Sequence, residues 1–267
     1  MIEKVLYVMD LSLKGFNQVE AKTTYEITYE INPPRIPVEQ NTLNVLLERV
    51  ESISSVCDCI HLTDSVLGVP RVSPLNIAKK IRETNQKIKL TCSLRVRDKG
   101  LNTIEEIVKE SVGIVDGILI LMGDKSNTNG DKTNLVSSQV VTFLNDRGFN
   151  EKLELFLSIP ANPNFAKIQK KINAKPKGFF TQVVNSKTNV ERITNFLKPN
   201  GFRIIPCLLL PSEKNTKSAE FLQIDWSDYK DNFIGFVRDV HDLAGDVLIT
   251  SPNDFKGAHE TLSKLAS

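Results

Sequence analysis

The chain has 267 residues, enough for one large domain with a substantial core, and its 40% hydrophobic and 25% charged content is that of an ordinary soluble protein. A net charge of +2, without any cluster of Lys and Arg interleaved with aromatics, argues against a nucleic-acid partner. No run approaches the roughly 18 apolar residues of a membrane span, and Met1-Ile2-Glu3-Lys4 lacks a signal-peptide pattern, so a cytoplasmic protein with no membrane partner is expected.

Residues 1–22 read as an N-terminal extension, in which Val5 to Leu13 fits either a short helix or an extra strand. From Thr24 to Asn32 the chain alternates: Tyr25, Ile27, Tyr29 and Ile31 share one face, and Thr24, Glu26, Thr28, Glu30 and Asn32 the other. Pro33 and Pro34 cannot donate to a ladder, so the strand stops there and Glu30 lies near its carboxyl end. Val38 to Ile53 carries Leu43, Leu46, Leu47 and Val50 at helical spacing.

The pattern then repeats. Strand Asp58–Thr63 leads to a helix capped by Ser73 with Pro74 at its first position. Strand Ile88–Val96 leads to a helix opened by the box-like Asn102-Thr103-Ile104-Glu105. The apolar strand Gly117–Met122 is followed by the polar loop Gly123–Lys132, which has the look of a lid, and a helix over Asn134–Asn145. Strand Leu153–Ile159 precedes a helix starting at Asn162-Pro163, and strand Gly178–Val184 a helix opened by the box Thr188–Glu191. Strand Phe202–Leu210 gives way to a long connection, Ser212–Asp225, then a helix over Trp226–Leu243. Strand Asp246–Thr250 and Ser251-Pro252 precede the last helix. Strands and helices alternating eight times, at a spacing of about 30 residues, predict a single-domain α/β fold over residues 1–267, the closed (β/α)8 TIM barrel.

In such a barrel the carboxyl ends of the strands share one mouth. That test gathers Glu30, Thr63 with Asp64, Thr91 with Ser93 and Arg95, Gly123-Asp124-Lys125, Ser158 to Asn162, Gln182 with Asn185, and Ser251 to Asp254. Glu30 and Asp124 therefore face one pocket from the first and fourth strands. A partly desolvated Glu30 has its pKa raised and keeps a proton to act as an acid. Glu26, two layers deeper, suits a structural ion pair. Gly123 lets a flat ligand approach the backbone, whereas Asp124 serves equally well as a turn residue. Gln182 in an otherwise apolar strand is a buried amide needing partners, which either a heterocycle or the core supplies. Lys170-Lys171 suits either a phosphate or solvent.

Cys57, Cys59, Cys92 and Cys207 have no partners at metal-ligand spacing and read as buried free thiols; no metal is expected. His61, His241 and His259 form no motif and read as structural or surface residues. Neither a Walker loop nor a Gly-x-Gly-x-x-Gly is present.

The order Tyr29-Glu30-Ile31-Asn32-Pro33-Pro34-Arg35, Leu62-Thr63-Asp64, Arg71-Val72-Ser73-Pro74, Leu90-Thr91-Cys92, Gly123-Asp124 and Phe180-Thr181-Gln182 resembles the methylenetetrahydrofolate reductases, from about residue 24 to the end. The resemblance implies a TIM barrel that reduces 5,10-methylenetetrahydrofolate to the 5-methyl form, through FAD reduced by NADH or NADPH. It implies that Glu30 protonates the folate ring nitrogen, that Asp124 stabilises charge beside flavin or iminium, and that Gln182 binds the pterin. It also places Thr63, Thr91 and Gly123 beside the flavin and Lys171 near the cofactor phosphates. The chain departs from that pattern at Lys89 and Met122, where flavin-binding relatives carry His and Arg, at Ile159 to Asn162, at Ser212-Glu213-Lys214, and at Ser251 to Asp254. The departures leave open weak FAD binding, direct hydride transfer from a nicotinamide, another pterin carrier, or a pterin-binding subunit that works in a complex. A homo-oligomer or a partner subunit is compatible with each.

Overall fold

The computed structural model describes residues 26–97, 99–123 and 134–267. Eight parallel strands close on themselves: Glu26–Ile31 (β1), Cys59–Leu62 (β2), Lys89–Arg95 (β3), Gly117–Leu121 (β4), Glu154–Ile159 (β5), Gly178–Val183 (β6), Arg203–Leu209 (β7) and Asp246–Thr250 (β8), with β8 pairing back onto β1. The expected (β/α)8 barrel is what the chain builds. The expected extension 1–22, the loop from Asp124 to Lys132 and Asp124 itself lie outside the described residues.

The alternation in β1 sorts its two faces. Ile27, Tyr29 and Ile31 are buried against the surrounding helices. Their neighbours Glu26, Thr28 and Glu30 turn into the barrel. Burying one such aliphatic side chain contributes about 1.5–3 kcal/mol, so a one-residue slip that swapped the faces would be strongly disfavoured. Inside the barrel a compact apolar layer of Leu119, Phe156, Phe180, Ile205, Cys207 and Leu248 fills the middle.

Below that layer lies an ionic floor made from first residues of strands. Arg203 reaches Asp246 at 2.7 Å, Glu154 at 2.7 Å and Glu26 at 3.4 Å, and Glu26 also pairs with Lys89 at 3.0 Å. Glu26 is thus the structural ion pair its depth suggested. Lys89 belongs to this amino-terminal end, so its departure from the family pattern says nothing about the mouth.

The helices are Gln40–Ile53 (α1), Pro74–Thr84 (α2), Leu101–Ser111 (α3), Ser137–Asp146 (α4), Gln169–Asn173 (α5), Lys187–Leu197 (α6), Thr216–Leu222 (α7), Phe233–Ala244 (α8) and Phe255–Ala266 (α9). Several starts differ from expectation. Leu101 precedes the supposed box and Gly100 sits at the cap position, while α6 begins at Lys187 behind Ser186; neither helix has a side-chain cap. Asn162-Pro163 opens irregular turns, and α5 begins only at Gln169. The long connection after β7 holds α7, and α8 starts at Phe233 with Asn232 accepting from the Gly235 amide. The cap of α9 is Asp254, which accepts from the Gly257 amide, not Ser251.

Candidate functional site

At the carboxyl ends of the strands a cavity of about 420 Å³ opens, and Glu30, His61, Thr63, Ser93, Phe180 and Gln182 contribute to its wall. Glu30 sits near the end of β1, in register with His61 on β2. The Thr250 hydroxyl at the end of β8 donates to Glu30 Oε1 at 2.6 Å. Burial raises the Glu30 pKa above the usual carboxylate range, and the Thr250 hydrogen bond opposes the rise only in part. Thr250 occupies one carboxyl oxygen and leaves the other to take up a proton. The result is a carboxyl group on a cavity wall that holds its proton more firmly than an exposed one. Below it the Cys207 thiol is pushed well up, by burial first and then by the neighbouring Glu30.

His61, expected to be a structural or surface residue, is a buried structural one. It is only 1% exposed, its Nδ1 lies 2.8 Å from Thr91 Oγ1 and its Nε2 2.9 Å from Ser93 Oγ. Its ring packs on Phe180 at 5.1 Å between centroids. Burial pushes the imidazole down to about 3, so it stays neutral and forms a fixed, uncharged wall beside Glu30. The signal for it was present: in Cys59-Ile60-His61-Leu62-Thr63 the aliphatics alternate with Cys59, His61 and Thr63, which places His61 inside.

Gln182 owes its place to an irregularity. Between Phe180 and Val183 the pairing of β6 with β7 shifts register, and Thr181 Oγ1 accepts from the Cys207 amide at 3.0 Å where the ladder is interrupted. Gln182 was expected to be a buried amide; it is exposed on the cavity wall and has no hydrogen bond to another described residue. Its donor and acceptor are both available to a ligand.

Several of the other predicted site residues bond to protein groups. Thr63 lines the cavity, but its hydroxyl donates to Asn32 Oδ1 at 2.7 Å. Thr91 lies beneath, held by His61, and does not reach the cavity wall. Gly123 lines the cavity at φ +78°, but a Cβ there would overlap the Arg95 side chain. Its missing side chain makes room for Arg95. Lys171 is half-buried with its ammonium on the Ser158 carbonyl, and desolvation lowers its pKa. Asn185 donates to the Asp225 carbonyl at 2.9 Å, while Ser251 and Asn253 line an adjoining cavity. Of the groups assigned to a flavin by resemblance, Thr63, Thr91 and Lys171 each bond to a protein group. No metal-binding cluster occurs among the described residues, and no helix among them is long and apolar enough to cross a membrane.

No family model matches the chain, and its sequence matches no curated protein. A solved structure does resemble it: an uncharacterized protein from Clostridium thermocellum that binds two copies of 5-methyl-5,6,7,8-tetrahydrofolic acid. The TM-score is 0.66 at 17% identity, over 90% of this chain and 93% of that chain. At this identity the likeness establishes the shared barrel fold.

Proposed function

We propose that the barrel mouth binds a reduced pterin and that the protein reduces the 5,10-methylene form of that pterin to the 5-methyl form, with NADH or NADPH delivering the hydride directly. The observation that carries this reading is Glu30, a carboxyl whose pKa is raised by burial, on the wall of a ligand-sized cavity. A methylene bridge between a pterin ring nitrogen and the arylamine nitrogen of the side chain is unreactive to hydride until one nitrogen is protonated. Glu30 supplies that proton, the five-membered ring opens to an iminium, and hydride adds to the methylene carbon. The oxidised nicotinamide leaves, and Glu30 regains its proton from water. Gln182 offers an amide to the pterin edge. Asp124, outside the described residues, takes the role of stabilising the developing positive charge. The pterin bound by the Clostridium thermocellum protein carries the methyl group that this reduction would produce.

The internal engagement of Thr63, Thr91, Gly123 and Lys171 favours a second reading, a pterin-binding subunit that receives its electrons from a partner. An anaerobic assay separates the two. The purified protein with reduced nicotinamide and 5,10-methylenetetrahydrofolate should consume nicotinamide and methylene-pterin in equal amounts. Pterin binding without consumption, under a range of donors, would move the conclusion to the subunit.

A further inference from the structure

We propose that the cavity beside the barrel mouth, built around Arg35, Arg49 and Arg71, is an anion subsite that holds the glutamyl carboxylates of a ligand whose ring occupies the mouth; this deepens the pterin reading and rests on it for the ring. The cavity encloses about 510 Å³ between β1, α1 and the β8–α9 connection. It shares Glu30 with the mouth, and the Thr63–Asn32 hydrogen bond joins the two walls, because Thr63 lines one cavity and Asn32 the other. On this proposal the ring of one ligand lies on the mouth side of Glu30 and its tail on the side of the arginines.

The charge in this cavity is unbalanced. Three guanidiniums line it against two carboxyls, Glu30 and Glu39, and none of the three makes an ion pair with a described residue. The fold holds two of them close together. Arg35 and Arg71 pair as an antiparallel bridge, flanked by Ile36 N to Pro70 O at 3.1 Å and Val72 N to Pro34 O at 2.9 Å. Arg71 Nη1 donates to the Pro33 carbonyl at 2.6 Å, whereas its Nε is buried with no partner. Burial, and then the neighbouring Arg35, lower the Arg71 pKa. A desolvated guanidinium beside a like charge, with a buried N–H unused, is a costly arrangement that an added carboxylate relieves. Arg49 lies over the Phe255 ring at 5.3 Å, which holds the third cation against α9. Guanidinium forks suit carboxylates, and a glutamyl tail presents two or more of them.

The test uses the whole protein and three probes: 5-methyltetrahydrofolate, the tail-less 6-methyltetrahydropterin, and the ring-less fragment p-aminobenzoyl-triglutamate. Arg71→Gln should weaken the tailed pterin and the fragment by at least about tenfold and leave the tail-less pterin unchanged. Because Arg71 also holds the Pro33 carbonyl, Arg35→Gln provides a second variant; that side chain is exposed and should show the same selectivity at a smaller size. Equal loss of both pterins, or loss of neither, overturns the subsite. If the wild type binds neither pterin but binds the fragment in an Arg71-dependent way, the pterin reading fails and the subsite stands. Absence of fragment binding overturns it. Inorganic pyrophosphate binding that depends on Arg71 while the fragment does not bind would reassign the cavity to a phosphate and also overturn the glutamyl assignment.

Discussion

Replacing Glu30 with Gln keeps the side-chain shape and the acceptor for the Thr250 hydroxyl, and removes only the ability to hold and release a proton. A positioned acid contributes about a hundredfold to ten-thousandfold, so turnover of the methylene-pterin should fall by that factor while the Kd for the methyl-pterin changes only a few-fold. The same substitution has a stability signature that does not depend on activity. The Glu30 pKa is raised above its ordinary value of 4.5 in the folded protein. Below pH 4.5 both states are protonated and the group is neutral to stability. As pH rises toward the folded pKa, the unfolded chain loses its proton first, so stability falls by up to about 1.4 kcal/mol per pH unit. Above the folded pKa the loss is complete and constant. Glu30→Gln abolishes this slope, so the variant gains on the wild type as pH increases. Chemical denaturation of both proteins from about pH 5 to pH 8 measures the difference. Parallel stability curves over that range would refute the raised pKa, and with it the assigned proton donor.

Three further substitutions probe the rest of the account. Gln182→Ala should weaken pterin binding by about tenfold without lowering Tm, since the amide is exposed and bonded to no other described residue; calorimetric titration and a thermal melt check both halves. Arg203→Ala leaves Asp246, Glu154 and Glu26 facing one another, and should cost about 2–4 kcal/mol once the 28% exposure of the Arg203 side chain is allowed for. Pterin affinity should be untouched, because this floor lies at the opposite end from the mouth. Gly123→Ala should cost about 1–3 kcal/mol in urea unfolding, because φ is +78° and the new methyl overlaps Arg95.

The barrel was legible because strand and helix periods alternate along the chain, and β1 was the most readable strand because its two faces differ in chemistry. In β4, Ile118, Leu119 and Ile120 are all buried, so alternation carries no sign of which way each residue points. Glu26 and Glu30 point into the barrel as their alternation indicates, whereas His61 read only as structural or surface although Ile60 and Leu62 fix its direction. The irregularity that exposes Gln182 depends on how β6 meets β7, which no local pattern reports. The space at Gly123 is taken by Arg95, and the arginine cavity joins Arg35 to Arg71 through an antiparallel bridge between two loops. Such long-range partnerships exist only once the barrel closes. Helix starts were misplaced where plausible capping boxes lay inside the helix, because Gly100 and Ser186 begin α3 and α6 without side-chain caps.

Calorimetric titration of the wild-type protein with 5-methyltetrahydrofolate, followed by competition with 6-methyltetrahydropterin, tests most directly whether the mouth is a pterin site. The account predicts saturable binding of the folate that the tail-less pterin displaces, with loss of the ring interaction in Gln182→Ala. No heat with either compound, or binding that is indifferent to Gln182, would contradict it.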